Sequence, residues 1–171
     1  MRLISHRGNL NGPNSECENN PTYVDYAISQ GYDVEIDLFV FDYFTYQEFW
    51  LGHDGPQYKI DLKWLEDRSC CLLVHCKNYD ALAYFVNRIT DIDYFWHEND
   101  RFALTSFNCI ITYPGCQAGE GSIVMKPELN GYTIGQYCEG ICSDYISKFS
   151  KQCAYSSPEQ PDSSGETSEQ S

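Results

Sequence analysis

The residues of this chain best suited to chemistry are two carboxylates flanked by histidines. Glu35 and Asp37 lie in the run Val34-Glu35-Ile36-Asp37-Leu38, alternating with apolar side chains. In a strand this alternation sends both carboxylates to one side and Val34, Ile36 and Leu38 to the other. Burying two unpaired carboxylates would cost more than one strand recovers, so compensating charge is required. A hard divalent cation that takes carboxylate oxygens is the simplest compensation. His6 precedes the strand in Ser5-His6-Arg7-Gly8, and His53 follows it in Gly52-His53-Asp54-Gly55. Imidazole changes charge near neutral pH, so two of them beside a cation make an acid/base pair. On spacing alone, the alternative is a solvated edge strand of mixed polarity.

Strand ends must place these groups. Arg2–Ser5 reads as a short strand delivering His6-Arg7-Gly8 to its exit, where Gly8 permits a turn or a close backbone approach. Asn9–Asn20 reads as loop, and Asn20-Pro21 starts a helix with Tyr23, Tyr26 and Ala27, and Val24, Ala27 and Ile28, at helical spacing, ended by Gly31. Past Leu38, the aromatic runs Phe39–Phe44 and Gln47–Leu51 read as two antiparallel arms that return His53 to the strand end. A short helix is expected over Leu62–Asp67. Cys71–Lys77 reads as a second strand with His75 and Lys77 on one face. Asn78 then caps a helix striped with Leu82, Phe85, Val86 and Ile89.

Ile92–Trp96, Cys109–Thr112 and Ser122–Met125 read as further strands, Phe102–Leu104 as a strand or one helical turn, and Tyr132–Cys138 as a short helix. Repeated strand-plus-helix units favour parallel α/β packing. Beyond Ile89 the connections are too short for a helix after every strand. The expected fold is therefore a reduced or incomplete TIM-type (β/α) barrel with several helices missing or shortened, over residues 1–151. Residues 152–171, rich in Ser, Pro, Gln and Glu, read as a disordered acidic tail.

The formal charge is -14, and it stays at -10 without the last twenty residues. Such a field disfavours duplex nucleic acid and anionic membranes, so no nucleic-acid partner is expected. An anionic substrate needs the sign reversed locally by metal and by Arg7 or Lys77. The nine cysteines show no CxxC pair and no regular zinc spacing. Free, mostly buried thiols are expected, with no cysteine singled out as a nucleophile. With no signal-peptide pattern and no membrane-length apolar run, the expected location is cytoplasmic. A disulfide-built secreted domain is the alternative.

In order, His6-Arg7-Gly8, Glu18-Asn19, Glu35-Ile36-Asp37, His53-Asp54, Lys77 and Gly140-Ile141-Cys142-Ser143-Asp144 resemble the glycerophosphodiester phosphodiesterase family. This is a TIM-barrel family of the phospholipase C-like class. The resemblance is strongest over Ile4–Gly55, moderate over Leu72–Asn78, and returns at Gly140–Tyr145. It implies a metal-dependent phosphodiesterase for a small phosphodiester, whose own hydroxyl attacks the phosphate through a cyclic intermediate. It further implies His6 and His53 as acid and base, and Glu35 and Asp37 as ligands of Mg2+ or Ca2+. Arg7 and Lys77 would contact phosphate, Asn19 would steady the pocket or leaving group, and Asp144 would be a structural carboxylate near the mouth.

The chain departs from the family pattern at three points. His75 stands where the family has its third metal carboxylate, which brings Mn2+ or Zn2+ into range, unless water or Glu98 fills that position. Ser143-Asp144 replaces a Thr-Asp pair, and the chain is much shorter. His97 and Glu98 otherwise read as a solvated turn. Two alternatives stand beside the enzyme: a catalytically weak or inactive phosphate- and metal-binding module on the same fold, and a phospholipase D-like toxin.

Overall fold

Ten strands and four helices make up the described part of the chain, residues 1–42, 44–88, 90–129 and 138–153 of a computed structural model. The first half runs β1 (Arg2–His6), α1 (Pro21–Ser29), β2 (Asp33–Phe41), β3 (Glu48–Leu51), β4 (Tyr58–Ile60), α2 (Leu62–Glu66), β5 (Leu72–Cys76) and α3 (Tyr79–Val86). The second half runs β6 (Asp93–Trp96), β7 (Phe102–Leu104), β8 (Ile110–Thr112), β9 (Ser122–Met125), β10 (Gly140–Ser143) and α4 (Ile146–Cys153). The helix expected over Tyr132–Cys138 falls outside the described residues up to Tyr137, and the tail beyond Cys153 falls outside them entirely.

The result is a mixed α/β fold in which β1 lies at the centre of one sheet. It pairs in parallel with β2 on one side and β10 on the other, Ile4 standing opposite Asp33 and Cys142. Parallel pairing continues from β2 to β5 and β6, and from β10 to β9 and β8. Chain order is kept along this run, and its last strand is bonded to its first. β7 joins β8 antiparallel, and the Ser106 amide just past β7 donates to the Tyr94 carbonyl of β6 at 2.8 Å. The two ends of the parallel run therefore meet.

Alternation divides the side chains into two apolar clusters. Val34, Ile36 and Leu38 of β2 and Leu72, Val74 and Cys76 of β5 pack against α1 and α3. The opposite face gives a smaller cluster of Ile4, Leu73, Phe95, Ile111, Ile123, Met125 and Cys142, drawn from six strands. Glu35 stands in register with Leu73 of this second cluster, so the carboxylates share its side of the sheet.

Local signals act as expected at the helix starts. The Asn20 side chain accepts from the Thr22 amide, and Asn78 accepts from the Ala81 amide. Val24 and Ala27 are the buried residues of α1 and Ile28 packs beside them, whereas Tyr26 is exposed. The stripe of α3 differs from expectation. Val86 is 63% exposed, whereas Tyr84 is buried edge-on against Phe49 at 5.1 Å. The helix ends at Val86, where the Asn87 side chain donates to the Ala83 carbonyl, and Ile89 lies outside the described residues. The first hairpin arm is the continuation of β2 itself, with Phe41 opposite Glu48, and β4 adds a third strand that the sequence reading did not include.

The eight cysteines whose side chains are described carry free thiols, but only Cys76, Cys116, Cys138 and Cys142 are buried; Cys70 is exposed. The expectation of mostly buried thiols holds for half of them. No helix among the described residues is long and apolar enough to cross a membrane.

Candidate metal and acid/base site

β2 is an interior strand, so the solvated-edge reading fails: Glu35 is 1% exposed and Asp37 is fully buried. The register places His75 of β5 directly beside Asp37. Its Nδ1 lies 3.0 Å from Asp37 Oδ1 and 3.9 Å from Glu35 Oε1. Ligand-type atoms of Glu35, Asp37 and His75 all lie within 4.8 Å of one another. The His75 ring cannot turn freely, because it stacks on Phe95 at 4.7 Å and its Nε2 is 3.2 Å from the His97 carbonyl oxygen.

Asp37 is held from several sides. Asn19 donates to its Oδ2 and accepts from its backbone amide, at 3.0 and 2.9 Å. This contact, and not helix capping, is what Asn19 does; the cap is Asn20. Arg7 Nε lies 2.8 Å from Asp37 Oδ2, off the line of a hydrogen bond, while its Nη1 donates to Glu18 at 3.1 Å. Lys77 Nζ is 3.5 Å from Asp37 Oδ1. The tight exit of β1 makes this packing possible: at Gly8 (φ +93°) an added Cβ would sit 2.6 Å from the Tyr23 ring.

The two carboxylates behave oppositely. Burial, reinforced by the charge of Asp37, pushes the Glu35 carboxyl well above its ordinary range. Burial would raise Asp37 too, but the His75 hydrogen bond and the charges of Arg7, His75 and Lys77 outweigh it and hold Asp37 low. Glu35 Oε2 is buried and has no hydrogen-bond partner among the described residues.

His6, at the exit of β1, is anchored by a 2.7 Å contact from Nδ1 to Asp144 Oδ1. Asp144 also accepts from Asn9 at 2.8 Å, pairs with Lys126 at 3.0 Å, and donates its own amide to Glu128. Burial would raise the Asp144 carboxyl, but the His6 hydrogen bond and charge, with Asn9 and Lys126, hold it low, so it remains a carboxylate. Burial lowers His6, and the Asp144 bond only partly opposes this. The ring is therefore neutral at neutral pH. Nδ1 carries the proton given to Asp144, and Nε2 presents a lone pair 3.9 Å from Glu35 Oε2.

His53 is placed by the hairpin. The Gly52 amide donates to the Asp37 carbonyl at 3.1 Å, which fixes the loop against β2. At Gly52 (φ +149°) a Cβ would collide with the Gly55 carbonyl. The His53 ring is 42% exposed and its Nδ1 lies 2.6 Å from Asp54.

All four histidines of the chain line one cavity of about 340 Å³, together with Arg7, Glu35 and Lys77. Its far wall comes from Trp96, His97, Glu98, Tyr113, Met125 and Lys126. His97 is not a solvated residue as expected from the turn; it stacks on Tyr113 at 3.8 Å. A wider depression beside β3 and β4 contains no histidine. The sequence reading missed Asn9, Lys126, Glu128 and Tyr113, and it left Asp144 as merely structural. Only the Ser143-Asp144 pair carried a signal, and its contact with His6 spans 138 positions.

Comparison with protein-family models, with curated proteins and with solved structures gives no match. The site is thus read from its own atoms. Two carboxylates and an imidazole within reach of one another, with a buried carboxylate oxygen lacking a partner, form a donor set capable of holding a divalent cation. That arrangement is consistent with metal-assisted hydrolysis.

Proposed function

We propose that this protein is a metal-dependent phosphoric diester hydrolase similar to the glycerophosphodiester phosphodiesterases, on a reduced (β/α) barrel. Its substrate is a small soluble phosphodiester with a hydroxyl beside the scissile phosphate. The barrel reading is supported by the parallel strands in chain order, the cluster drawn from six of them, and a cavity at their C-terminal ends. The observation carrying the function is the unpartnered Glu35 oxygen, buried 3.9 Å from the Nε2 of an Asp144-anchored, neutral His6.

A divalent cation held by Glu35, Asp37 and His75 would supply Lewis-acid stabilisation of charge on the non-bridging phosphate oxygens. His6 Nε2 removes the proton of the attacking hydroxyl, and Asp144 stabilises the resulting imidazolium. His53, at the more exposed side of the cavity, returns a proton to the leaving oxygen. Arg7 and Lys77 offset the phosphate charge, and Asn19 keeps Asp37 from turning. Water then opens the cyclic phosphate by the reverse sequence. Free thiols support a reducing, cytoplasmic setting. No observation favours the toxin reading.

One observation favours the binding-module reading: both oxygens of Asp37 are already engaged, by His75 and Lys77 on one side and by Asn19 and Arg7 on the other. Hydrolysis of bis(p-nitrophenyl) phosphate and glycerophosphocholine, measured with Mg2+, Ca2+, Mn2+ and Zn2+, separates the two. The enzyme reading expects turnover that drops by about 10²- to 10⁴-fold in His6→Ala and His53→Ala. Binding of glycerophosphocholine without turnover under any metal establishes the module instead.

A further inference from the structure

We infer that the site selects a first-row transition-metal cation, Mn2+ or Zn2+, over Mg2+ and Ca2+, and that His75 makes the choice. The inference rests on the metal reading above and adds the identity of the cation. Magnesium and calcium take oxygen donors, and their affinity grows with the number of negatively charged ones. Here β5 presents a nitrogen in register with Asp37, where a third carboxylate would complete a hard set.

The imidazole is built to coordinate. A bound cation would take the place of the proton that Nδ1 shares with Asp37. With Nε2–H kept on the His97 carbonyl at 3.2 Å, the freed Nδ1 lone pair faces Glu35 and Asp37 at 3.9 and 3.0 Å. A ligating histidine characteristically donates its other ring N–H to a carbonyl or carboxylate, which fixes the tautomer. The flat stack on Phe95, with 9° between ring planes, removes the alternative of swinging the ring out and admitting water. The unpartnered, 1%-exposed Glu35 supplies an oxygen facing the same space.

Among the described residues, no other carboxylate joins Glu35, Asp37 and His75 within 4.8 Å. Asp144 is engaged by His6, Asn9 and Lys126, and Glu18 by Arg7 and Asn9. Glu98 lines the cavity but is exposed. One nitrogen with two oxygens suits first-row transition ions, which accept imidazole beside carboxylate oxygen, and three protein ligands leave a position open for substrate oxygen.

The test is binding on the full chain by calorimetry, with MnCl2, ZnCl2, MgCl2 and CaCl2 titrated separately, and Mn2+ paramagnetic resonance under Mg2+ competition. Mn2+ is expected to bind once per chain, to resist a large excess of Mg2+, and to be lost in Glu35→Gln. His75→Glu should move the Mn2+ to Mg2+ affinity ratio toward Mg2+ by at least the 10- to 100-fold typical of losing even an outer partner of a metal ligand. Should that variant fold poorly, the Co2+ form of the unaltered protein serves, its visible spectrum reporting nitrogen ligation. Mg2+ or Ca2+ binding as tightly as Mn2+ at a Glu35-dependent site overturns the selectivity and leaves the metal reading standing. Absence of any Glu35-dependent binding overturns the metal reading itself, and so does zinc held only by cysteines.

Discussion

The two halves of the sheet are built to different standards. Around β2 and β5 each strand is covered on its outer face by α1 or α3, and Val34, Ile36, Leu38, Leu72 and Val74 are all at most 1% exposed. Around β7 and β8 no helix covers the strands among the described residues, and Phe102, Leu104 and Ile110 stand 48%, 65% and 39% exposed. Glu35, Asp37, His75 and Lys77 all belong to the covered half, with Arg7 on the adjoining β1 exit. The uncovered half contributes wall residues, Tyr113, Met125 and Lys126. Charged groups keep strongly displaced proton affinities only where water is excluded and their neighbours are fixed, and a strand packed on both faces supplies that. Helix cover among the described residues thus lies on the strands that carry the candidate metal-binding cluster.

The sharpest way to break this contrast is to remove a charge from each half. Asp37→Ala leaves Lys77 in a nearly closed site without its Asp37 partner and Arg7 with Glu18 alone, and should destabilise the protein by about 3–5 kcal/mol in urea unfolding. Lys126→Ala, whose partner Asp144 retains His6 and Asn9, should cost much less. Equal losses would mean that the two halves are not different in kind. Packing gives the next test. Ile36→Ala should cost about 2–5 kcal/mol, whereas Leu104→Ala should stay within about 0.5 kcal/mol.

A smaller effect concerns pH. In the metal-free protein the Glu35 carboxyl is raised from 4.5 to about 8, so the folded state holds a proton that the unfolded chain has already released. Stability should therefore fall as pH rises through that window, by at most about 1.4 kcal/mol per pH unit, and Glu35→Gln should flatten the slope. Asp37 and Asp144 are shifted the other way, so their contributions are present above the ordinary carboxylate range and are lost as pH falls below it. Unfolding midpoints recorded from about pH 2 to about pH 9 in chelator, at values spaced about one unit apart, should show stability falling on both sides of a maximum. A stability that keeps rising to pH 8 in chelator would contradict the Glu35 assignment.

Much of this was legible in the residues because period-two alternation is a strong signal. It put Glu35 and Asp37 on one face, opposite Val34, Ile36 and Leu38, and it put His75 and Lys77 together on the next strand. Asn20 and Asn78 announced their helices through side chains that accept from first-turn amides. What could not be read was long-range pairing. Nothing local to Asp144 says that it will meet His6, or that Lys126 will reach Asp144, because β10 closes against β1 only in the folded sheet. The α3 stripe was misplaced for a related reason: Tyr84 takes the buried position because Phe49 of the distant hairpin receives its ring. His97 likewise looked like a turn residue until Tyr113, from the other side of the cavity, stacked on it.

The central claim is that Glu35, Asp37 and His75 close on one cation within reach of His6. The most direct test is an anomalous-scattering map of crystals grown with Mn2+. The account predicts one strong peak at roughly 2.0–2.3 Å from an oxygen of each carboxylate and from His75 Nδ1, with Lys77 displaced from Asp37. A map with no peak there, with Lys77 still against Asp37 and Glu35 Oε2 bonded to a neighbouring side chain, would contradict it.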